Sequence, residues 1–300
     1  MDKESKTGVS TNRNHFASVI GALLIWSTSF IGTKIAYASF PPITLGAARF
    51  IIASIILGIL VVLKKEFIKP EPKDMKLIAA SGILGITIYF TMENIGVKWT
   101  TAINAALIVA SYPAITTLLE LMIYKEKPSF YKAAGIALAI GGVYLVSYVG
   151  NGVHGENQLA GNMILIATGV VWALYNFTTR KVVNKYPAVT LSFYQTAIGT
   201  VCFVPLAFIE MDRWTVPNAI SFSALIYLGV FCSVAAFMLY NFGLRRLSAS
   251  TAVSLMNLVP AFGAIFSVLI LHEPISLRQC MGGAIVVLGV MLSVKQQKAA

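Results

Sequence analysis

Residues 101–113 read TAINAALIVASYP, and residues 248–260, 147 positions further on, read SASTAVSLMNLVP. Each is a run of small and apolar side chains that ends on a proline, Pro113 or Pro260. A glutamate follows each proline at the same distance (Glu126, Glu273), and then glycines in register, Gly135 and Gly142 against Gly282 and Gly289. Upstream, the same offset carries Asn94 onto Asn241, Gly96 onto Gly243 and Lys98 onto Arg245. Earlier still the offset is 146, and carries Trp26 onto Trp172, Lys34 onto Arg180, Pro41 onto Pro187 and Thr44-Leu45 onto Thr190-Leu191. Tryptophan, proline, asparagine and glutamate landmarks in one order mark a duplicated unit, with one inserted residue between its copies.

The composition of that unit sets its surroundings. The chain has 300 residues, 57% hydrophobic and 12% charged, with a mean hydropathy of +0.77. Soluble domains are about 45–50% apolar and about 25% charged, so this chain lacks the polar residues to coat two of them. Crossing ~30 Å of hydrocarbon takes about 20 apolar residues in a helix. On that length the sequence predicts an all-α integral membrane protein with ten transmembrane helices. They fall near 16–38, 43–63, 75–97, 101–123, 129–149, 159–180, 188–209, 219–243, 248–271 and 276–294. Two five-helix repeats result, 16–149 and 159–294, between tails at 1–15 and 295–300. Five is odd, so the second repeat enters the membrane upside down. Eighteen Lys and Arg lie on the side of the two termini, against four (Lys34, Lys98, Arg213, Arg278) on the other. Basic residues stay inside, so both termini are read as cytoplasmic and the membrane as the inner cell membrane.

Several classes drop out. The net charge of +11 sits at the ends of apolar runs and not on one patch, so no nucleic-acid partner is read from it. Cys202, Cys232 and Cys280 lie inside apolar runs at no ligand spacing and read as small buried hydrophobes. His272-Glu273 has no second ligand at metal spacing, so no metal site is read. There is no phosphate-binding glycine loop and no nucleophile–base pattern, so the reading is of a protein that is not an enzyme, without a cofactor. Energy would then come from gradients.

The small-residue helix, the proline, the short turn with a glutamate and the glycine-rich helix, present in both halves, resemble the EamA-type branch of the drug/metabolite transporter superfamily. The likeness runs over about residues 16–294. It implies a central cavity lined mainly by helices 1, 3, 4, 6, 8 and 9, and export or exchange of amino acids, their derivatives, amines or toxic metabolites. Uptake and phosphate-compound exchange also occur in the superfamily.

Side chains within the spans give the candidate site. Charges in a bilayer cost several kcal/mol unless paired or hydrated, which singles out Arg49 on helix 2 and Glu93 on helix 3, both toward the lysine-poor side. They are read either as an outer-gate ion pair or as a fixed structural pair. Glu93 has a second reading, as the carboxylate for a cationic substrate or a coupling proton. Their equivalents in the second repeat, Gln195 and Tyr240, are uncharged. Trp26 and Trp172 sit mid-span in equivalent positions, as stacking faces for a substrate or as packing between repeats. Tyr89, Asn104, Tyr112, Tyr175, Asn176, Tyr240, Asn241 and Asn257 add neutral hydrogen-bonding groups to the same helices. Pro113 and Pro260 are expected to kink helices 4 and 9. The glycines of helices 5 and 10 are expected to pack closely, Glu120 to reach Lys125 or Lys127, and Glu126 and Glu273 to cap turns or helices. The reading is a secondary active transporter for an amino-acid-like, amine or drug-like metabolite, exporting or exchanging it by alternating access. The alternatives are uptake of a quaternary amine or phosphorylated nutrient and, in a different class, a membrane sensor or enzyme on a transporter-like body. Partners are the substrate and the lipid bilayer, with the oligomeric state left open.

Overall fold

A computed structural model of the chain describes residues 2–125, 129–147, 157–244 and 258–294. Among these, every regular element is a helix. In chain order, α1 comprises Asp2–Ser27 and Ser29–Ala36, and α2 Pro42–Leu63. α3 runs through Pro72–Gly82, the π-helical Ile83–Ile88 and Tyr89–Trp99. α4 is Ala102–Val109 with Tyr112–Tyr124, α5 Phe130–Ser147 and α6 Gln158–Arg180. α7 is Ala188–Ala207, followed by the 3-10 turn Phe208–Arg213. α8 joins Ala219–Tyr227, the π-helical Leu228–Ala235 and Ala236–Leu244, and α9 Leu258–Leu271 and α10 Leu277–Val294 complete the order. The helix of α1 begins within the polar tail, at Asp2.

Among the described residues seven helices are long and apolar enough to cross a membrane, and Phe130–Val146, Phe262–Leu271 and Leu277–Leu292 are shorter apolar helices. These three belong to the spans expected at 129–149, 248–271 and 276–294, of which residues 148–149 and 248–257 lie outside the described residues. Outward-facing side chains are apolar too. Ile55, Val62, Ile140, Tyr144, Val201 and Leu288 are all more than half exposed, a surface that water would not tolerate over this extent.

The local breaks have sequence causes. Prolines open α2 and α3, at positions where a missing N–H costs nothing. In α1 three hydroxyls in a row turn back on their own helix: Ser27 to Leu24 O, Thr28 to Ile25 O and Ser29 to Trp26 O, at 2.7 Å each. Such bonds compete with the helical ladder, and α1 is interrupted at Thr28. α4 is interrupted at Ala110-Ser111, where the Ser111 hydroxyl takes Ile108 O and Pro113 brings no N–H. Pro260 lies in the first described turn of α9, and the residues before it lie outside the described segments.

Equivalent helices of the two halves meet antiparallel. Ser54 and Thr200, 146 positions apart, share a hydrogen bond of 2.9 Å between α2 and α7, with Gly46 on Phe203 and Gly58 on Phe193 to either side. On α5 and α10, a Cβ at Gly142 would stand 2.7 Å from Gly282 O, and one at Gly289 2.6 Å from Gly135 O. Only glycine permits this approach. Gly141 departs from the expectation: nothing lies within 4 Å of its Cβ position. The two π-helical stretches are also equivalent, since residues 83–88 move onto 230–235 by the offset of 147.

Candidate functional site

A cavity lies where the helices cross, with about 70 Å³ open to the centres of water-sized molecules. A single water needs about 10–15 Å³, so it holds several. α1 contributes Trp26, Ser29 and Phe30; α2 contributes Arg49; α3 contributes Tyr89, Phe90 and Glu93. Val109, Ala110, Tyr112 and Pro113 come from α4, Trp172 from α6, Phe237 from α8, and Val259 and Pro260 from α9. Four equivalent pairs are among them: Trp26/Trp172, Phe90/Phe237, Tyr112/Val259 and Pro113/Pro260. The cavity therefore sits on the pseudo-twofold axis, and the two charges break its symmetry.

Arg49 is 3% exposed. Its Nε donates to Ser233 Oγ at 2.5 Å, and its guanidinium carbon lies 4.7 Å from the Phe90 ring centroid and 5.4 Å from that of Phe50. Glu93 Oε1 accepts a 2.9 Å bond from Tyr89 OH, one turn back on α3. Among the described residues no salt bridge joins Arg49 to Glu93. Both charges border one cavity, each held by a neutral neighbour, so the direct pair expected from the sequence is not made in this state.

Aromatic groups form the remaining walls. Tyr89 stands 5.3 Å from Trp172 and edge-on to Tyr112 at 6.4 Å, and Tyr112 OH donates to Leu165 O. Trp26 meets Phe237 edge-on at 5.0 Å, and its Nε1 donates to Cys232 O at 3.0 Å. That acceptor lies in the π-helical stretch of α8, where the widened turn leaves a carbonyl for a side chain to use.

The end of the bundle near residues 99–101 and 272–276 is closed by contacts between the halves. Glu273 accepts from Ala102 N (3.0 Å) and Ile103 N (3.1 Å), so its carboxylate caps the start of α4. Gln279 Nε2 donates to Asn104 Oδ1 at 2.8 Å, and within the first half Lys34 Nζ donates to Thr100 O. Glu210, from the turn after α7, accepts from Thr44 N and Thr44 Oγ1 at the start of α2. At the other end Asp74 takes Lys185 Nζ at 2.8 Å and Tyr186 OH at 3.0 Å, and the Asp74 hydrogen bond raises the pKa of Lys185. Glu120 pairs with Arg180 at 3.1 Å, across to α6; of the two lysines expected for it, Lys127 lies outside the described residues.

With that geometry in view, a family model described as "EamA-like transporter family" matches the chain twice, over residues 16–148 and 159–295. The chain belongs to the EamA-like transporter family. An uncharacterized transporter of Archaeoglobus fulgidus is 30% identical over 279 residues, 92% of this chain and 95% of that one. A probable terminal-alkyne amino-acid exporter of Streptantibioticus cattleyicolor is 24% identical, over 92% of this chain and 91% of its own. A solved crystal structure has the same fold, with a TM-score of 0.66 at 21% identity, covering 92% of this chain and 97% of that one. This EamA-like transporter is thus a multi-pass membrane protein that carries a small molecule.

Of the residues singled out in the sequence, the structure brings Trp26, Arg49, Tyr89, Glu93, Tyr112 and Trp172 to one cavity, with both prolines. Others go elsewhere. Asn104 is fully buried in the closure at the start of α4. Asn176 bonds its own helix at Trp172 O, Tyr240 meets the Trp26 ring at a tilt with centroids 5.1 Å apart, and Tyr175 lines a smaller neighbouring void. The Asn241 side chain, Glu126 and Asn257 lie outside the described residues. Sequence reasoning missed Ser29, Phe90, Phe237 and Ser233. Phe90 and Phe237 carried a usable signal, since they are equivalent by the same offset of 147 as the prolines.

Proposed function

We propose that this EamA-like transporter is a secondary transporter that exports or exchanges a small zwitterionic, amino-acid-like metabolite across the inner cell membrane by alternating access. The observation that carries the reading is one guanidinium and one carboxylate bordering a single aromatic cavity. Arg49 suits a substrate carboxylate, Glu93 an ammonium, and the rings of Tyr89, Trp172, Trp26 and Phe237 an apolar body. Among the described residues the two charges make no direct salt bridge, so a ligand bearing both signs would bridge them. The relative named as an amino-acid exporter is in keeping with this class.

Ten membrane crossings in two inverted repeats, with both termini in the cytoplasm, complete the reading. The antiparallel meeting of α2 with α7 and α5 with α10 supports inversion, since two equivalent helices packed antiparallel have their twofold axis across the helices. Inverted repeats with a site between them are the architecture of alternating access. Transport is powered by a gradient, with Glu93 as the proton-binding group when protons are coupled. The lysine-poor end, taken as the outer one, is drawn together in this state by Glu273, Gln279 and Glu210.

Calorimetry on the purified protein tests the substrate class, using an amino acid, its amide and its deaminated acid. The zwitterion is expected to bind at least about tenfold tighter than either, since each lost charge pair is worth more than about 1.4 kcal/mol. Preference for a quaternary amine would move the reading to cation uptake through Glu93 and the aromatic rings. Equal affinity for all three refutes the zwitterion site.

A further inference from the structure

A second, smaller void lies on the lysine-rich side of the cavity, bordered by Tyr175 on α6, by Ser192, Gln195 and Thr196 on α7, and by Ser233 on α8. It offers about 20 Å³, the room of one water or a little more. Its polar groups are neutral: hydroxyls and one amide. Phe237 borders both voids and is the wall between them. The Arg49–Ser233 hydrogen bond crosses the same boundary, with Arg49 on the large side and Ser233 on the small one.

The repeat relates the two chambers. Gln195 is the equivalent of Arg49, Tyr175 of Ser29, and Phe237 of Phe90, all by the offsets of 146 and 147. In the Arg49/Gln195 pair the large chamber has the charged member and the small chamber the neutral one; the other two pairs are uncharged on both sides. Gln195 is held rigidly there: its Nε2 donates to Ser81 Oγ at 2.7 Å and Thr179 Oγ1 at 3.1 Å.

We propose that the small chamber is a second, uncharged station on the substrate path, which receives the substrate's carboxylate as it leaves Arg49, and that Phe237 is the partition it must pass. This rests on the transport reading above. A carboxylate held by a guanidinium is bound tightly and released slowly, whereas neutral hydroxyl donors such as Ser192 and Thr196 hold it more weakly. Ser233 already occupies the Arg49 Nε proton, so it stands at the point of transfer. The chamber has room for the leading oxygen of the carboxylate, and the rest of the substrate stays among the aromatic rings. Weak binding on the lysine-rich side and strong binding on the other would give the two faces different affinities for one molecule.

The test uses the full-length protein in proteoliposomes with a radiolabelled amino acid, comparing wild type with Gln195→Glu, Thr196→Val and Phe237→Trp. The first two are near-isosteric; Gln195→Glu places a carboxylate where the substrate carboxylate must pass. Equilibrium binding at the main cavity is expected to stay within about twofold for both, while exchange slows at least roughly tenfold for Gln195→Glu through like-charge repulsion and less for Thr196→Val. Phe237→Trp, which thickens the partition, is expected to slow exchange as well. Wild-type exchange rates in Gln195→Glu and Thr196→Val overturn the station. Absence of flux in the wild type overturns the transport reading and the station with it, so the two failures are distinct. Should one variant misfold, the other decides the question by itself.

Discussion

Glu273 offers a direct handle on the closed end. Its two carboxylate oxygens take the first two N–H groups of α4, at 3.0 and 3.1 Å, and no other carboxylate reaches them among the described residues. Because Glu273 lies between α9 and α10 and α4 belongs to the other repeat, the bonds exist only while the halves are drawn together at this end. A hydrogen bond to a charged group is worth about 1.5–3 kcal/mol, and a helix cap about 0.5–2 kcal/mol. Glutamine keeps the shape and one acceptor but turns an N–H₂ toward a backbone donor, and it surrenders the charge at the helix N-terminus. Half-buried Glu273 therefore stands to lose about 2 kcal/mol of preference for the closed end in Glu273→Gln, toward the upper end of a 5–30-fold change in population. The assay places a cysteine at Ser29, on the cavity wall, in a background without Cys202, Cys232 and Cys280, and measures its reaction with a membrane-impermeant maleimide applied from the lysine-poor face. Labelling is expected to be slow in the parent and about tenfold or more faster with Glu273→Gln. An unchanged rate in a variant that retains its thermal stability refutes the closure.

Other consequences follow from the same geometry. Arg49→Lys keeps a cation but loses the forked donor set, and is expected to weaken binding of an amino acid roughly tenfold while leaving that of the corresponding amine nearly unchanged, by calorimetry. Gly142→Ala places a methyl 2.7 Å from Gly282 O and is expected to cost about 1–3 kcal/mol, whereas Gly141→Ala meets nothing and is expected to be neutral or slightly stabilising; thermal unfolding in detergent separates them. Asp74→Asn removes the charge that pairs with Lys185 while keeping an acceptor for Tyr186 OH, and is expected to lower the melting temperature slightly in the same assay.

How much of this was legible in the sequence depended on the kind of signal. Long apolar runs and paired landmarks such as Trp26/Trp172 and Pro113/Pro260 announce helices and a repeat, because a lipid environment permits few other structures. Charges inside the spans stood out for the same reason, and Arg49 and Glu93 do border the cavity. Their partners were not legible: Ser233 comes from 184 residues away in chain order, and no local pattern marks it. The neutral asparagines misled, since Asn104 is used in closing one end and Asn176 bonds its own helix. A polar group in a span needs a bond, and a neighbouring backbone often supplies it. The run Ser27-Thr28-Ser29 held the break of α1 in plain view, because three successive hydroxyls are placed to take carbonyls from the turn before. The π-helical stretches at Ile83–Ile88 and Leu228–Ala235 have no cue of that sort.

The central claim is that one pocket serves both faces of the membrane in turn, and counterflow tests it most directly. Proteoliposomes are loaded with an unlabelled amino acid, diluted into a trace of the labelled compound, and followed for uptake. Transient accumulation of label above equilibrium, abolished by Arg49→Ala, is the predicted result. Label that enters only down its own gradient, at a rate indifferent to what lies inside and to Arg49, would contradict the account.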